Sequence, residues 1–224
     1  MYRVEDKFLV SERELFLLQS RLKAVLKADS HSANGYTITS VYFDDLCDSC
    51  LRDTIDGNRL RQKYRIRIYN RSFEVIKLEV KYKRDNRVKK YATEITYEQM
   101  CDLMRGKCIE ERQSTVDDPI TLFNMAIKER GLRPKVIVEY DRMAYVFAPG
   151  NVRITLDRDL RTSSRFDAFM KKECGSFQAV NSGNRVLEIK YDEFLPGFIA
   201  GILEYGNMIQ TSFSKYRICR EQKG

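Results

Sequence analysis

Charged residues recur at every second position in six stretches of this chain, with mostly aliphatic residues between them. The stretches are Arg3-Val4-Glu5-Asp6-Lys7, Arg65-Ile66-Arg67-Ile68-Tyr69, Lys77-Leu78-Glu79-Val80-Lys81, Val138-Glu139-Tyr140-Asp141-Arg142, Arg153-Ile154-Thr155-Leu156-Asp157 and Leu187-Glu188-Ile189-Lys190. Side chains alternate between the two faces of a strand, so each stretch predicts a strand with one apolar and one charged face. A solvated sheet face would explain one such strand. It explains six less well, because they come from both ends of the chain and carry Arg, Lys and Glu on the same side. A sheet of that kind suits a strongly anionic ligand.

The pattern predicts strands at 2–10, 36–44, 63–70, 74–84, 88–96, 135–147, 151–158 and 185–191. Short turns at Asn70-Arg71-Ser72 and Arg84-Asp85-Asn86 join three of them as an antiparallel meander. Pro149-Gly150 predicts a type II turn. Ser11-x-x-Glu14 is a capping box for a helix with Leu15, Leu18, Leu22, Val25 and Leu26 on one face. Thr96-x-x-Gln99 caps a short helix ending at Gly106. Asp118-Pro119 opens another, closed by Gly131. Pro196 starts a fourth, carrying Phe198, Ile202, Tyr205 and Ile209. Residues 45–62 read as a linker, Arg158, Arg161 and Arg165 as a loop, and 211–217 as a tail.

Eight strands and about four helices, with no repeat and no composition break, predict one α+β domain over residues 1–224. An eight-stranded barrel has an interior just wide enough for side chains or one slender ligand. The aliphatic strand faces and the amphipathic helices can only bury their apolar surface against each other. With helices outside, the charged faces point inward. The expected fold is an eight-stranded antiparallel β-barrel tunnel with a charged lumen.

Forty Lys and Arg stand against 32 Asp and Glu, a net charge of +8 that favours anionic partners. No apolar run approaches the ~20 residues that span a bilayer. The N-terminus leads straight into a strand pattern without signal-peptide character, so a cytoplasmic location is expected. Of six cysteines only Cys47 and Cys50 form a C-x-x-C, and His31 is the sole histidine. A structural zinc site wants four soft ligands, so the cysteines read as reduced thiols and His31 as a solvated loop residue. Nucleic acid is not an expected partner, because the tyrosines are spread over strands and no single basic helix stands out.

Arg offers a planar fork suited to phosphate, and Lys a compact charge. Lining a narrow channel with both focuses potential on an anionic guest. Glu5, Glu79 and Glu188 would partly neutralise that lining, and could hold Mg²⁺ or Mn²⁺ shared with substrate phosphates. The expected guest is a linear polyanion, either a nucleoside triphosphate tail or a phosphate chain.

The ordered set Tyr64-Arg65-Ile66-Arg67, Leu78-Glu79-Val80-Lys81-Tyr82-Lys83, Glu139-Tyr140-Asp141-Arg142-Met143-Ala144-Tyr145, Val152-Arg153-Ile154-Thr155-Leu156-Asp157, Val186-Leu187-Glu188-Ile189-Lys190 and Phe213-Ser214-Lys215-Tyr216 resembles VTC domains. These are the polyphosphate polymerase domains of vacuolar transporter chaperone proteins, in the triphosphate tunnel metalloenzyme superfamily. The resemblance runs from Tyr2 to about Arg217. It implies a metal-dependent transferase that moves the γ-phosphate of ATP onto a growing polyphosphate chain. Arg65, Arg67, Lys81, Arg142 and Arg153 take the catalytic positions. Lys7, Lys89, Tyr140, Ser214 and Lys215 take the substrate-binding ones. Strand register decides whether Lys89 or its neighbour Lys90 faces inward. Glu188, with Glu5 and Glu79 behind it, would hold Mn²⁺ or Mg²⁺. ATP, inorganic polyphosphate and pyrophosphate or triphosphate are the implied ligands. A membrane-protein partner would have to be supplied by another chain.

Hydrolytic members of that superfamily typically open with E-x-E-x-K. Here Arg3-Val4-Glu5-Asp6-Lys7 puts Arg3 where the first Glu would stand, which leans toward the polymerase branch. Two alternatives share the same tunnel: hydrolysis of tripolyphosphate or nucleoside triphosphates, and non-catalytic sensing of a phosphate chain.

Overall fold

The structure is a computed structural model that describes residues 3–29, 34–85, 87–110, 117–173, 177–180, 185–204 and 208–222. The expectations for Tyr2, His31, Cys174 and Tyr205 fall outside the described residues. The strands are β1 (Arg3–Val10), β2 (Lys27–Ala28), β3 (Tyr36–Asp44), β4 (Leu60–Tyr69), β5 (Ser72–Arg84), β6 (Arg87–Ile95), β7 (Arg133–Phe147), β8 (Val152–Ser163), β9 (Gln178–Ala179), β10 (Arg185–Tyr191) and β11 (Ile209–Gln210). The helices are α1 (Glu12–Val25), α2 (Ser49–Ile55), α3 (Tyr97–Met104), α4 (Pro119–Arg130), α5 (Phe166–Met170), α6 (Gly197–Leu203) and α7 (Lys215–Glu221).

Eight strands close on themselves in the order β7-β3-β4-β5-β6-β1-β10-β8, and β8 pairs back to β7. All pairings are antiparallel. Among the described residues β1 and β6 pair through Arg3 and Val4, the shortest ladder in the ring. The two-residue strands β2, β9 and β11 lie beside β7, β8 and β1.

Helices α1, α3, α4 and α6 pack on the outer wall. On one side Leu15, Leu18 and Leu22 of α1 and Ile199 and Leu203 of α6 cover Ile154 and Leu156 of β8 and Leu187 and Ile189 of β10. On the other, Phe123 and Ile127 of α4 and Met100 and Leu103 of α3 cover Ile66, Leu78 and Val80. Each such side chain stabilises by about 1.5–3 kcal/mol when fully buried. The apolar half of every alternating strand therefore points out to helices, which leaves the charged half inside.

Local signals set the helix ends. Ser11 and Glu14 form a reciprocal capping box on α1, and Thr96 and Gln99 form another on α3. Asp118 caps α4, Pro119 occupies its first turn, and Gly131 ends it at φ +65°. Gly150 makes the β7–β8 turn at φ +72°, ψ +6°, where a Cβ would meet the Phe194 carbonyl oxygen at 3.1 Å.

Five local expectations need correction. The 45–62 linker holds α2 and the start of β4, because Asp44 accepts the Cys50 and Leu51 amides and so fixes the first turn of α2. Arg158 and Arg161 lie on β8, which runs on to Ser163 against β7. Ile209 is in β11, and the 211–217 tail enters α7, capped by Ser214 on the Arg217 amide. Val25 is exposed although its helix neighbours are buried.

Candidate active site: a cation-rich tunnel

The register of β4 against β5 sets four inward pairs directly opposite one another: Arg61/Lys83, Lys63/Lys81, Arg65/Glu79 and Arg67/Lys77. Three of the four are pairs of like charge. Directly opposed like charges destabilise a sheet. Six residues of strand at about 3.3 Å each make this row roughly 20 Å long.

Four carboxylates compensate part of the lining. Glu79 accepts Arg65 Nε at 2.6 Å and Lys90 Nζ at 2.8 Å, with Arg67 3.8 Å away. Glu5 takes Lys81 at 2.9 Å on both oxygens, with Lys7 at 3.2 Å and Lys190 at 3.3 Å. Asp157 receives the Arg142 fork at 2.6 and 2.7 Å and Lys215 at 2.7 Å. Glu188 pairs with Lys190 at 3.1 Å and Arg142 at 3.6 Å. Burial raises the pKa of each carboxyl, but the cations outweigh it and hold all four below the usual carboxylate range. For Glu188 the result is about 2, where Lys190, Lys7 and Arg142 overcome both burial and the repulsion of Glu5.

The cations exceed these partners. Lys63 donates to Ser214 Oγ at 2.8 Å and is pushed well below its ordinary pKa by burial and by Lys7, Lys81, Arg61 and Arg65. Burial pushes Lys81 down to about 7, against the opposing pull of Glu5 and with Lys190 and Lys7 adding to the drop. Arg67 donates to Ser40 Oγ at 3.2 Å and Tyr140 Oη at 3.4 Å. Tyr140 also sits under Lys215, 4.7 Å from its ring centroid. Burial raises the Tyr140 pKa, but Arg142, Arg67 and Lys215 bring it below the ordinary tyrosine value. The start of α7 crosses the lumen, where Lys7 donates to the Phe213 carbonyl at 3.2 Å and Tyr216 Oη donates to Asp44 at 2.6 Å.

Most residues expected at the site thus meet in one interior: Lys7, Arg65, Arg67, Lys81, Arg142, Tyr140, Ser214 and Lys215, with Glu5, Glu79 and Glu188. Arg153 lies apart, at one mouth, donating to Tyr36 Oη at 3.0 Å and pairing with Asp29 at 2.5 Å. That mouth is a cavity of about 600 Å³ that also includes Lys77 and Glu94. Lys89 is a correction. It points outward to Asp117 at 3.6 Å and over the Tyr91 ring at 4.6 Å, while Lys90 reaches Glu79. The pairing Lys81↔Lys90 gives Lys90 the inward parity.

Sequence reasoning left Lys90 as the alternative to Lys89 and missed Lys63, Lys190 and Asp157. The last two stand in the alternating stretches, and Lys63 shares parity with Arg65. It also placed too much charge inside. Glu139 and Asp141 face the outer wall, where Glu139 takes the Arg71 fork at 2.7 and 2.9 Å, Arg161 at 3.1 Å and Thr39 at 2.9 Å. Asp141 accepts Thr37 at 2.7 Å and Arg161 at 3.0 Å. Asp6 also faces away, accepting Tyr191 Oη at 3.2 Å.

Among the described residues no three carboxylate, Cys or His side chains cluster as a self-sufficient metal site. Glu5 and Glu188 do fit a hard cation that completes its shell with phosphate oxygens, since Mg²⁺ is usually held by one or two carboxylates plus substrate. They lie on neighbouring strands and share Lys190 between them. Glu5 would have to release Lys81, which holds both its oxygens, and Glu79 fits less well still, because it lies on β5, apart from the neighbouring β1 and β10. Arg3 pairs with Asp192 at 3.1 Å and adds no carboxylate to the set. The Cys47–Cys50 pair offers no redox centre: Cys50 is buried, and burial with Asp44 pushes its thiol up to about 12.

A closed eight-stranded antiparallel barrel lined by buried Lys and Arg is a tunnel of the triphosphate tunnel type. Solved structures share this fold. An adenylyl cyclase candidate from Hippeastrum, described as having a dominant triphosphatase activity, is 15% identical with a TM-score of 0.52, covering 91% of this chain and 85% of that one. A protein from Pyrococcus horikoshii OT3 is 16% identical at TM-score 0.51, covering 99% and 100%. An adenylate cyclase candidate from Bacillus halodurans is 13% identical at TM-score 0.50, covering 85% and 82%. No curated protein matches the sequence. Residues 2–222 match the VTC domain, and the chain belongs to the VTC family. No helix among the described residues is long and apolar enough to cross a membrane.

Proposed function

We propose that this protein is a polyphosphate polymerase that transfers the γ-phosphate of ATP to the end of an inorganic polyphosphate chain held in the tunnel. The observation that carries the reading is the opposed cations inside the barrel on β4 and β5, Lys63/Lys81 and Arg67/Lys77, a line of positive charge whose natural complement is an extended phosphate chain. VTC family membership supports it.

Phosphoryl transfer depends on alignment and charge neutralisation more than on covalent help. A terminal oxygen of the chain attacks the γ-phosphorus, the bond to the β–γ bridging oxygen breaks, and ADP leaves. The attacking oxygen is already anionic, so no general base is required. Arg65, Arg67 and Lys81 line one wall of the lumen, and Arg142 and Lys215 meet at Asp157, so donor and acceptor phosphates can be held from several sides. Tyr140 and Ser214 add hydroxyl donors, and Arg153 would meet a ligand at the mouth. Mg²⁺ or Mn²⁺ on Glu188 and Glu5 would supply further neutralisation of the transferring group.

Incubation with ATP and Mn²⁺, scored for both long polyphosphate and free orthophosphate, tests this function. Chain growth with release of ADP is expected. Orthophosphate without chain growth would assign hydrolysis instead, and tight binding without turnover would assign a sensor.

A further inference from the structure

The cationic row does not end inside the barrel. Its last pair, Arg61 opposite Lys83, lines a separate cleft of about 430 Å³ at the ends of β4 and β5, bordered by Arg84, Arg130 and the start of α2. This cleft and the Arg153 mouth receive opposite ends of one row, since Arg67/Lys77 closes it at the other side.

Two observations mark the cleft as built for an anion. Arg61 Nε is buried and has no hydrogen-bond partner among the described residues. Lys83 faces Arg61 directly and lies near Lys7, and burial with these two cations lowers its pKa. The acidic side chain on the cleft wall, Asp53, is engaged by Asn58 at 2.7 Å. The Arg153 mouth differs, because Asp29, Glu74 and Glu94 stand there among the cations.

We infer that the Arg61–Lys83 cleft is a subsite for inorganic polyphosphate, holding phosphates of a long chain that extend beyond the lumen. The inference rests on the tunnel reading above and concerns binding alone. A short anion such as tripolyphosphate is held by the lumen and gains little from the cleft. A long chain spans both, and its affinity rises with length.

The test is titration calorimetry with tripolyphosphate, ATP and a long polyphosphate, on the wild-type protein and on Arg61→Gln/Lys83→Gln. The double variant should bind long chains at least about tenfold more weakly, the scale of a lost charge-assisted contact. Tripolyphosphate and ATP should stay within about twofold, because the lumen contacts that hold short anions remain intact. The salt slope for long chains should fall by roughly the two cations removed. Equal losses for short and long anions, a loss confined to ATP, or no loss in a variant with an unchanged melting curve would each overturn the subsite. Binding needs no turnover, so failure to synthesise polyphosphate would sink the polymerase reading and leave this result standing.

Discussion

Lys63 stands directly opposite Lys81 across the β4–β5 ladder, and both ammonium groups lie inside the barrel. Each is pushed down from the ordinary lysine value, Lys81 to about 7, first by burial and then by neighbouring cations. A phosphate chain beside them reverses that repulsion and restores the proton. Binding should therefore take up protons above pH 7, roughly one per lysine that is neutral in the free protein. Affinity for tripolyphosphate should fall as pH rises from 7 to 9. Calorimetry at pH 8 in two buffers of different ionisation enthalpy reads the uptake directly, and a zero uptake would show both lysines already charged.

Arg67 and Glu188 should be separable from folding. Arg67 touches Ser40 and Tyr140 at 3.2 and 3.4 Å and is 3.8 Å from Glu79, looser than the shortest contacts of Arg65 and Arg142. Arg67→Ala relieves cation repulsion as it removes a phosphate donor. Loss of such a charge-stabilising donor costs on the order of 100- to 1,000-fold in rate. Arg67→Ala and Glu188→Gln should each abolish ATP-dependent chain synthesis in a protein that still folds, with a melting temperature close to wild type for Arg67→Ala and a lowered one for Glu188→Gln, which leaves Lys190 and Arg142 less compensated. A folded variant that makes polyphosphate normally would remove that residue from the mechanism.

The barrel was legible because alternation and helix caps are local signals. Six charged–apolar strands required an apolar wall, and the capping boxes at Ser11 and Thr96 put helices against it. What escaped depends on long-range register. In β7 both faces are polar, so the pattern alone could not say that Tyr140 and Arg142 face in while Glu139 and Asp141 face out to Arg71 and Arg161. The residues 211–217 carry no periodicity, and tertiary contacts to Asp44, Lys63 and Asp157 place them in the lumen as the lead into α7.

Asp157 should be the carboxylate on which stability depends most. It is fully buried and neutralises both Arg142 and Lys215, which reach it at 2.6 to 2.7 Å. Asp157→Asn leaves two buried cations short of a counter-charge, and breaking a buried pair in this way costs about 3–5 kcal/mol. Urea unfolding should show that loss at pH 7. Acid should have a related effect on the wild type. Carboxyls depressed in the folded state contribute stability above their unfolded pKa, near 4.5 for Glu188, and that contribution is lost as pH falls toward about 2. An Asp157→Asn midpoint equal to wild type would show that water, not Asp157, compensates these cations.

Lys89 and Lys90 offer the sharpest test of register. They are adjacent in sequence, carry the same charge, and point to opposite faces: Lys89 to Asp117 outside, Lys90 to Glu79 in the lumen. Lys90→Gln withdraws one cation from the tunnel and frees one oxygen of Glu79, which Arg65 and Arg67 then face alone. The net charge at that point falls by one, which leaves the Glu79 carboxylate less compensated. Tripolyphosphate binding should weaken by about tenfold, the scale of one charge-assisted hydrogen bond. Lys89→Gln breaks an exposed pair worth at most about 1 kcal/mol and should change binding less than twofold. The reverse ranking, measured under identical salt, would mean that β6 pairs one residue out of the register drawn here, with Lys89 turned into the lumen.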